Sequence, residues 1–177
     1  MFVLRAAQLV DIPVIEALIV QSVMVLQAKD YTETQRRGAL GTVFGVDTQL
    51  IRDQTYFVIE SDGALVACGG WSYRQTLYGA NAMEGRADNR LDPDRDAARI
   101  RAFFVRPDWA RRGLGSQILS ACETAAREAG FLRFELGATL TGVPFYNAFG
   151  YEPIDCSGAP LPDGQVLPIV RMGKQVL

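Results

Sequence analysis

Residues 103–116 read FFVRPDWARRGLGS, and a helical pattern begins at their end. Phe103-Phe104-Val105 closes a β-rich run and Arg106-Pro107 breaks it. Arg111-Arg112-Gly113-Leu114-Gly115 then turns the chain directly into a helix. A strand that stops where a helix starts gathers unpaired backbone N–H groups and the positive end of the helix dipole at one place. Gly113 and Gly115 carry no Cβ, so an anion can approach the main chain closely. Each such contact is worth only about 0.3–1 kcal/mol when exposed, but several converge here, and Arg111 and Arg112 add positive charge. A phosphate or pyrophosphate is the natural guest. The stretch is not the dinucleotide fingerprint, because Ile118 stands where a third glycine is needed, and no Gly-Lys-Ser/Thr follows to make a Walker loop.

Downstream, Leu114, Ile118, Cys122, Ala125 and Ala129 recur every three or four residues, which predicts an amphipathic helix over 113–129 stopped by Gly130. Phe131–Leu136 reads as the next strand and Val143–Phe149 as a short helix. Tyr151–Ile154 and Val166–Met172 read as two closing strands around a Pro/Gly-rich turn. Upstream, Arg99–Val105 is a strand. Thr55–Glu60 and Ala64–Ser72, joined by Ser61-Asp62-Gly63, form a hairpin. Phe2–Ala6 predicts a first strand. Asp11 then caps a helix with Pro13 in its first turn, and Val14, Leu18 and Val25 share the face expected to meet a sheet. A second helical region follows Tyr31, with Thr32 or Thr34 as its cap. Residues 74–96 mix Arg and Asp and read as a long, solvated, charged loop. A hairpin followed by strand–helix–strand predicts one α/β domain over 1–177, with a mixed central sheet of about six to seven strands flanked by helices.

The composition narrows the chemistry. A chain of 177 residues with 49% hydrophobic and 21% charged residues can bury a full core. Eighteen Lys+Arg against twenty Asp+Glu leave a net charge of −2, so no basic excess exists for nucleic acid. Histidine is absent, which excludes Ser-His-Asp and Cys-His catalysis. Cys68, Cys122 and Cys156 lie far apart without CxxC spacing. Neither a metal site nor a disulfide framework is therefore expected, and the usage suits a reducing cytoplasm. The start MFVLRAAQLVDIPVI reads as strand then helix rather than as a signal peptide. The apolar VIEALIVQSVMVL is interrupted by Glu16 and Gln21 and is expected to be too short to span a bilayer. A cytoplasmic protein without a membrane segment is the expectation.

FFVRPDWARRGLGSQIL resembles the acetyl-CoA-binding motif of the GNAT superfamily of N-acetyltransferases: a strand, Val-x-Pro, then Gln/Arg-x-x-Gly-x-Gly/Ala opening a long helix. PFYNAFGYEPI resembles the family's second signature, an aromatic-Tyr-x-x-x-Gly-Phe/Tyr run, at the spacing of one helix and one strand. The early LRAAQLVDIPVIEAL and the closing VRMGK also fit the family's edges. The resemblance implies that acetyl-CoA is co-substrate and that an amine of a small molecule or peptide accepts the acetyl group. Phe103, Phe104 and Val105 would offer strand backbone to the pantetheine, and Arg111, Arg112, Gly113, Leu114, Gly115 and Ser116 would hold the pyrophosphate through main-chain N–H groups. Tyr146 would protonate the departing thiolate. Many members pair as homodimers, which makes a homodimer an expectation of the resemblance rather than of any residue.

Three positions depart from the family pattern. Ala110 fills the usual Gln/Arg slot, Thr139 or a neighbour stands where many members have Asn, and no carboxylate lies within Ala97–Val105, where many carry a catalytic Glu. Glu135, on the strand after the cofactor helix, is the best candidate base, ahead of Asp96 and Glu60; its plainer reading is a strand carboxylate near Arg133. The plainer reading of Tyr146 is a core tyrosine between Phe145 and Phe149. Trp71, Tyr73 and Tyr78 are the candidate walls of an acceptor site, or else cover a sheet edge. Two other readings stay open: a non-catalytic acyl-CoA sensor, and an α/β nucleotide binder using the same helix start.

Overall fold

A computed structural model describes residues 1–176 of the chain, and Leu177, the last residue of the expected domain, lies outside the described residues. In chain order the elements are β1 (Phe2–Ala6), α1 (Ile12–Leu26), α2 (Glu33–Ala39), α3 (Thr48–Arg52), β2 (Tyr56–Ser61), β3 (Ala64–Ser72), β4 (Ala98–Val105), α4 (Leu114–Glu128), β5 (Arg133–Thr139), α5 (Val143–Ala148), β6 (Glu152–Pro160) and β7 (Val166–Gln175). The predicted hairpin is present. Asp62 and Gly63 both take positive φ, 51° and 79°, as the favoured two-residue turn between strands requires. Seven strands form one sheet in the order β1-β2-β3-β4-β5-β7-β6. Every neighbouring pair is antiparallel except β4 and β5.

Two apolar layers cover the sheet. Leu114, Ile118, Leu119, Cys122 and Ala126 of α4 sink into one face beside Phe131, Phe134 and Leu136. Ile15, Leu18, Ile19 and Val23 of α1 sink into the other, with Tyr56, Val58, Phe44 and Phe104. The inward face of α1 differs from the expected one: Leu18 is buried, but Val14 and Val25 are exposed. An almost wholly apolar helix offers several candidate stripes, and tertiary packing chooses among them. A 3₁₀ turn at Leu9–Asp11 runs into α1, making Leu9–Leu26 long and apolar enough to cross a bilayer by length and composition, which corrects the expectation of a shorter segment. Its inward residues lie in the core of the domain.

The second helical region splits. Thr32 caps α2 through a reciprocal pair with Gln35, and Asp47 caps α3 by accepting from the Gln49 N–H at 3.0 Å. Phe131 is buried but precedes β5, and β6 and β7 are longer than expected. The long loop forms no regular element and most of its charges are exposed, as expected, but two of its arginines are tied down. Arg74 grips Asp53 in a two-pronged pair at 2.6 and 2.8 Å. Arg86 and Arg101 share the Asp47 carboxylate at 2.8 and 2.9 Å. Arg101 is 3% exposed, and burial pulls its guanidinium pKa down while Asp47 opposes the shift. A charge this deep needs its partners.

Candidate active site

The parallel pairing of β4 with β5 consists of Ala98↔Phe134 and Arg99↔Glu135, after which both strands continue but no longer pair with each other. Ala102 lies at the irregularity, with φ of +55° where the β3–β4 register slips. A left-handed alanine is costly, and a bulge of this kind bends its strand. The Tyr56 hydroxyl donates to the Ala102 carbonyl at 2.8 Å and fixes the bend. A cavity of about 270 Å³ opens where the strands part. Phe103, Phe104 and Val105 line it from one side, Gly137, Ala138 and Thr139 from the other.

Gly115 also lines the cavity, which connects it to the start of α4. Arg111 takes φ of +62° and Gly113 +78°, and the first intrahelical bond runs from the Gln117 N–H to the Gly113 carbonyl. No side chain caps the helix, so its leading N–H groups face outward. A Cβ on Gly113 would meet no atom within 4 Å, whereas one on Gly115 would approach the Phe145 ring at 3.3 Å. The Arg112 guanidinium is stacked on Trp109, 4.6 Å from the ring centroid, and donates to the Asp108 carbonyl. Of the two arginines, only Arg111 is left unstacked.

Tyr146 lies in the cavity wall and is 9% exposed. Phe145, Phe103 and Tyr151 hold its ring edge-to-face at centroid separations of 5.1, 6.2 and 5.8 Å. Burial pushes its hydroxyl far above the ordinary tyrosine value, with Cys122 a lesser contributor, so it remains protonated and a donor. Cys122 is itself fully buried in the core, as expected. Thr139 lines the cavity and accepts the Gly142 N–H at 3.0 Å, tying β5 to α5.

Of the residues named from the sequence, the structure brings Phe103, Phe104, Val105, Gly115, Tyr78, Thr139 and Tyr146 to one cavity; Arg111, Arg112, Gly113, Leu114 and Ser116 are not part of its wall, and Leu114 is buried in the core. Glu135 is held by Arg99 at 2.8 Å and Arg171 at 2.9 Å and is not part of the wall. By the strand period it shares a face with Gly137 and Thr139, but two guanidiniums compete for any proton-accepting role. Asp96 accepts from the Asp92 N–H, and Glu60 pairs with Arg5. Trp71 is 5% exposed and packs edge-on against Phe131 and Tyr73 on the α4 side of the sheet. Tyr73 lies between the guanidiniums of Arg74 and Arg90. Neither reaches the cavity. Tyr78 does, and its ring lies so close to Gly137 that a Cβ there would come within 2.7 Å.

Ser22 and Gln27 on the inward side of α1 and at its end, with Phe44 and Leu77, complete the wall. No local motif marks them; they converge only through the topology. The segment after α1 is fastened by Tyr31, whose hydroxyl accepts from the Leu140 N–H at 2.9 Å and donates to the Pro168 carbonyl at 2.6 Å. Among the described residues no cluster of acidic or cysteine side chains is arranged to hold a metal ion.

Residues 52–153 match the family model described as "Acetyltransferase (GNAT) domain". A GCN5-related N-acetyltransferase from Rhodopseudomonas palustris superposes with a TM-score of 0.73 at 20% identity, covering 98% of this chain and 95% of that one. The PaiA N-acetyltransferase from Thermoplasma acidophilum, in complex with coenzyme A, superposes at 0.66 with 13% identity over 99% of both chains. A putative acetyltransferase, YncA, from Salmonella typhimurium with acetyl-CoA gives 0.65 at 15% identity, covering 100% and 95%. No curated protein sequence matches the chain.

Proposed function

We propose, since the chain belongs to the acetyltransferase (GNAT) family and so takes its acetyl group from acetyl-CoA, that it transfers that group directly to a primary amine of a small molecule or peptide. The observation that carries this reading is one continuous cavity running from the uncapped start of α4, through the parting of β4 and β5, to the Tyr146 ring. The thioester supplies the acetyl group and a thiolate leaving group.

The chain's residues divide the work. Main-chain N–H groups of Arg111–Ser116 bind the pyrophosphate, as a helix start favours. Backbone of Phe103–Val105, which β5 no longer pairs, binds the pantetheine as an added strand would. The amine nitrogen bonds to the acetyl carbon, the carbon–sulfur bond breaks, and one N–H proton leaves to solvent. The thiolate takes a proton from Tyr146, which recovers it from solvent. General acid catalysis of this kind contributes about 10²–10⁴-fold, and holding two reactants together contributes more. Among the described residues no Asp, Glu, Lys or Arg lines the cavity, so proton removal from the amine falls to water and to desolvation rather than to a carboxylate.

Thermal unfolding with acetyl-CoA, ATP and NAD tests the cofactor assignment. At about a hundredfold above the dissociation constant, acetyl-CoA should add about 2.7 kcal/mol, a shift of several degrees at this size, and the other two nothing. Absence of a shift with acetyl-CoA sinks it. A second reading, a non-catalytic acyl-CoA sensor, draws on the lack of a carboxylate in the wall; it requires that saturating acetyl-CoA and amines give no turnover. Unpaired Cys68, Cys122 and Cys156 support a reducing, cytoplasmic setting.

A further inference from the structure

Away from Phe103–Val105 and α5, the cavity is walled mainly by apolar groups from four separate segments, chiefly Leu26, Phe44, Leu77, Tyr78 and Ile169, with Ser22, Gln27, Thr139 and Thr141 as uncharged polar members. The neighbouring arginines are committed elsewhere, Arg99 and Arg171 to Glu135 and Arg101 to Asp47. A carboxylate, a phosphate or a second ammonium entering here would lose its water and find no countercharge, which is among the costliest events in a protein interior. One polar demand is unmet. Gln27 is 6% exposed and lines the cavity, and its carboxamide oxygen, itself closed over, has no hydrogen-bond partner. Among the described residues the other two buried side-chain polar atoms without partners, Arg36 Nε and Arg101 Nε, belong to residues outside the wall. An orphaned buried acceptor is destabilising unless a ligand donor meets it.

Resting on the acetyltransferase reading above, we propose that the acceptor is a small primary monoamine with an uncharged apolar body, an alkylamine or arylalkylamine, and that the Gln27 carboxamide turns to present Oε1, which accepts a hydrogen bond from its N–H. The same dry wall favours the neutral amine over the ammonium ion, so it supplies the deprotonation that no wall carboxylate provides.

The test is release of CoA thiol from acetyl-CoA with phenethylamine, hexylamine, alanine, glutamate, spermidine and an alanine-starting peptide as acceptors. Phenethylamine or hexylamine should exceed the carboxylate-bearing amines, the polyamine and the peptide in kcat/KM by about a hundredfold or more. Gln27→Leu should raise KM for the preferred amine by about tenfold while leaving the thermal shift caused by acetyl-CoA unchanged. The proposal is overturned if a charged amine or the peptide is the best substrate, or if Gln27→Leu leaves KM unchanged. A shift with acetyl-CoA but no turnover on either apolar amine overturns the acceptor assignment alone. No shift with acetyl-CoA overturns the cofactor reading, and the acceptor assignment with it.

Discussion

The two ends of the cavity are built from different material. At the start of α4, the groups offered to a ligand are main-chain N–H donors aligned by two left-handed residues, Arg111 and Gly113, and the side chains of that loop are mostly turned to other uses. At the far end the wall that a ligand would meet is drawn from scattered residues, among them Gln27, Phe44, Leu77 and Tyr78. A backbone site reads what every member of a family must bind. A side-chain site can differ from one member to the next without disturbing the fold.

That contrast can be broken by experiment. Tyr146→Phe, at the junction of the two ends, should lower kcat by about 10²–10⁴-fold while acetyl-CoA binding, measured calorimetrically, stays the same. Asp47→Ala removes the one carboxylate shared by Arg86 and Arg101 under the loop that carries Leu77 and Tyr78. It should cost about 3–5 kcal/mol in denaturant unfolding, because it leaves a buried charge unpaired. Gly113→Ala forces a Cβ into φ of +78° and should cost about 1 kcal/mol in stability and weaken acetyl-CoA. Arg112→Ala should change acetyl-CoA affinity by less than Gly113→Ala does; a larger loss from the arginine would mean that side chains, not backbone, hold the pyrophosphate.

The pH dependence separates the ends once more. Burial raises the hydroxyl pKa of both Tyr146 and Tyr78, the latter eased slightly by Ser157. A raised pKa keeps each tyrosine protonated through the ordinary tyrosine value of about 10, so neither gives a descending limb below that pH. The rise of kcat/KM with pH should instead follow the ionisation of the acceptor, and moving to an amine of lower pKa should move the limb with it. A limb that stays fixed when the amine is changed would reveal a titrating base in the protein.

Legibility in the sequence tracks the same division. The hairpin was readable because Asp62-Gly63 is turn chemistry, and the α4 start because Gly113 and Gly115 do what other residues cannot. The paired motifs around Val105–Gly115 and Pro144–Tyr151 placed Tyr146 at the site. Trp71 and Tyr73 misled because an aromatic at the end of a strand looks the same whichever face it occupies, and these two face α4 and the loop arginines. The surroundings of Glu135 were not readable because its partners, Arg99 and Arg171, come from strands 36 residues away on either side. Gln27 left no local trace: its importance lies in an atom that nothing else in the fold satisfies.

Arg101 carries one more consequence. It fastens the long loop largely by donating to the carbonyls of Thr76 and Gly79, at 3.1 and 2.9 Å, on either side of Leu77 and Tyr78. Every amino acid brings a carbonyl, so this anchor is indifferent to which side chains lie between its two holds. The wall can therefore be rewritten at residues 77 and 78 while its position is retained, and a lineage carrying Arg101 and Asp47 has a mounted, exchangeable panel with which to explore new acceptors.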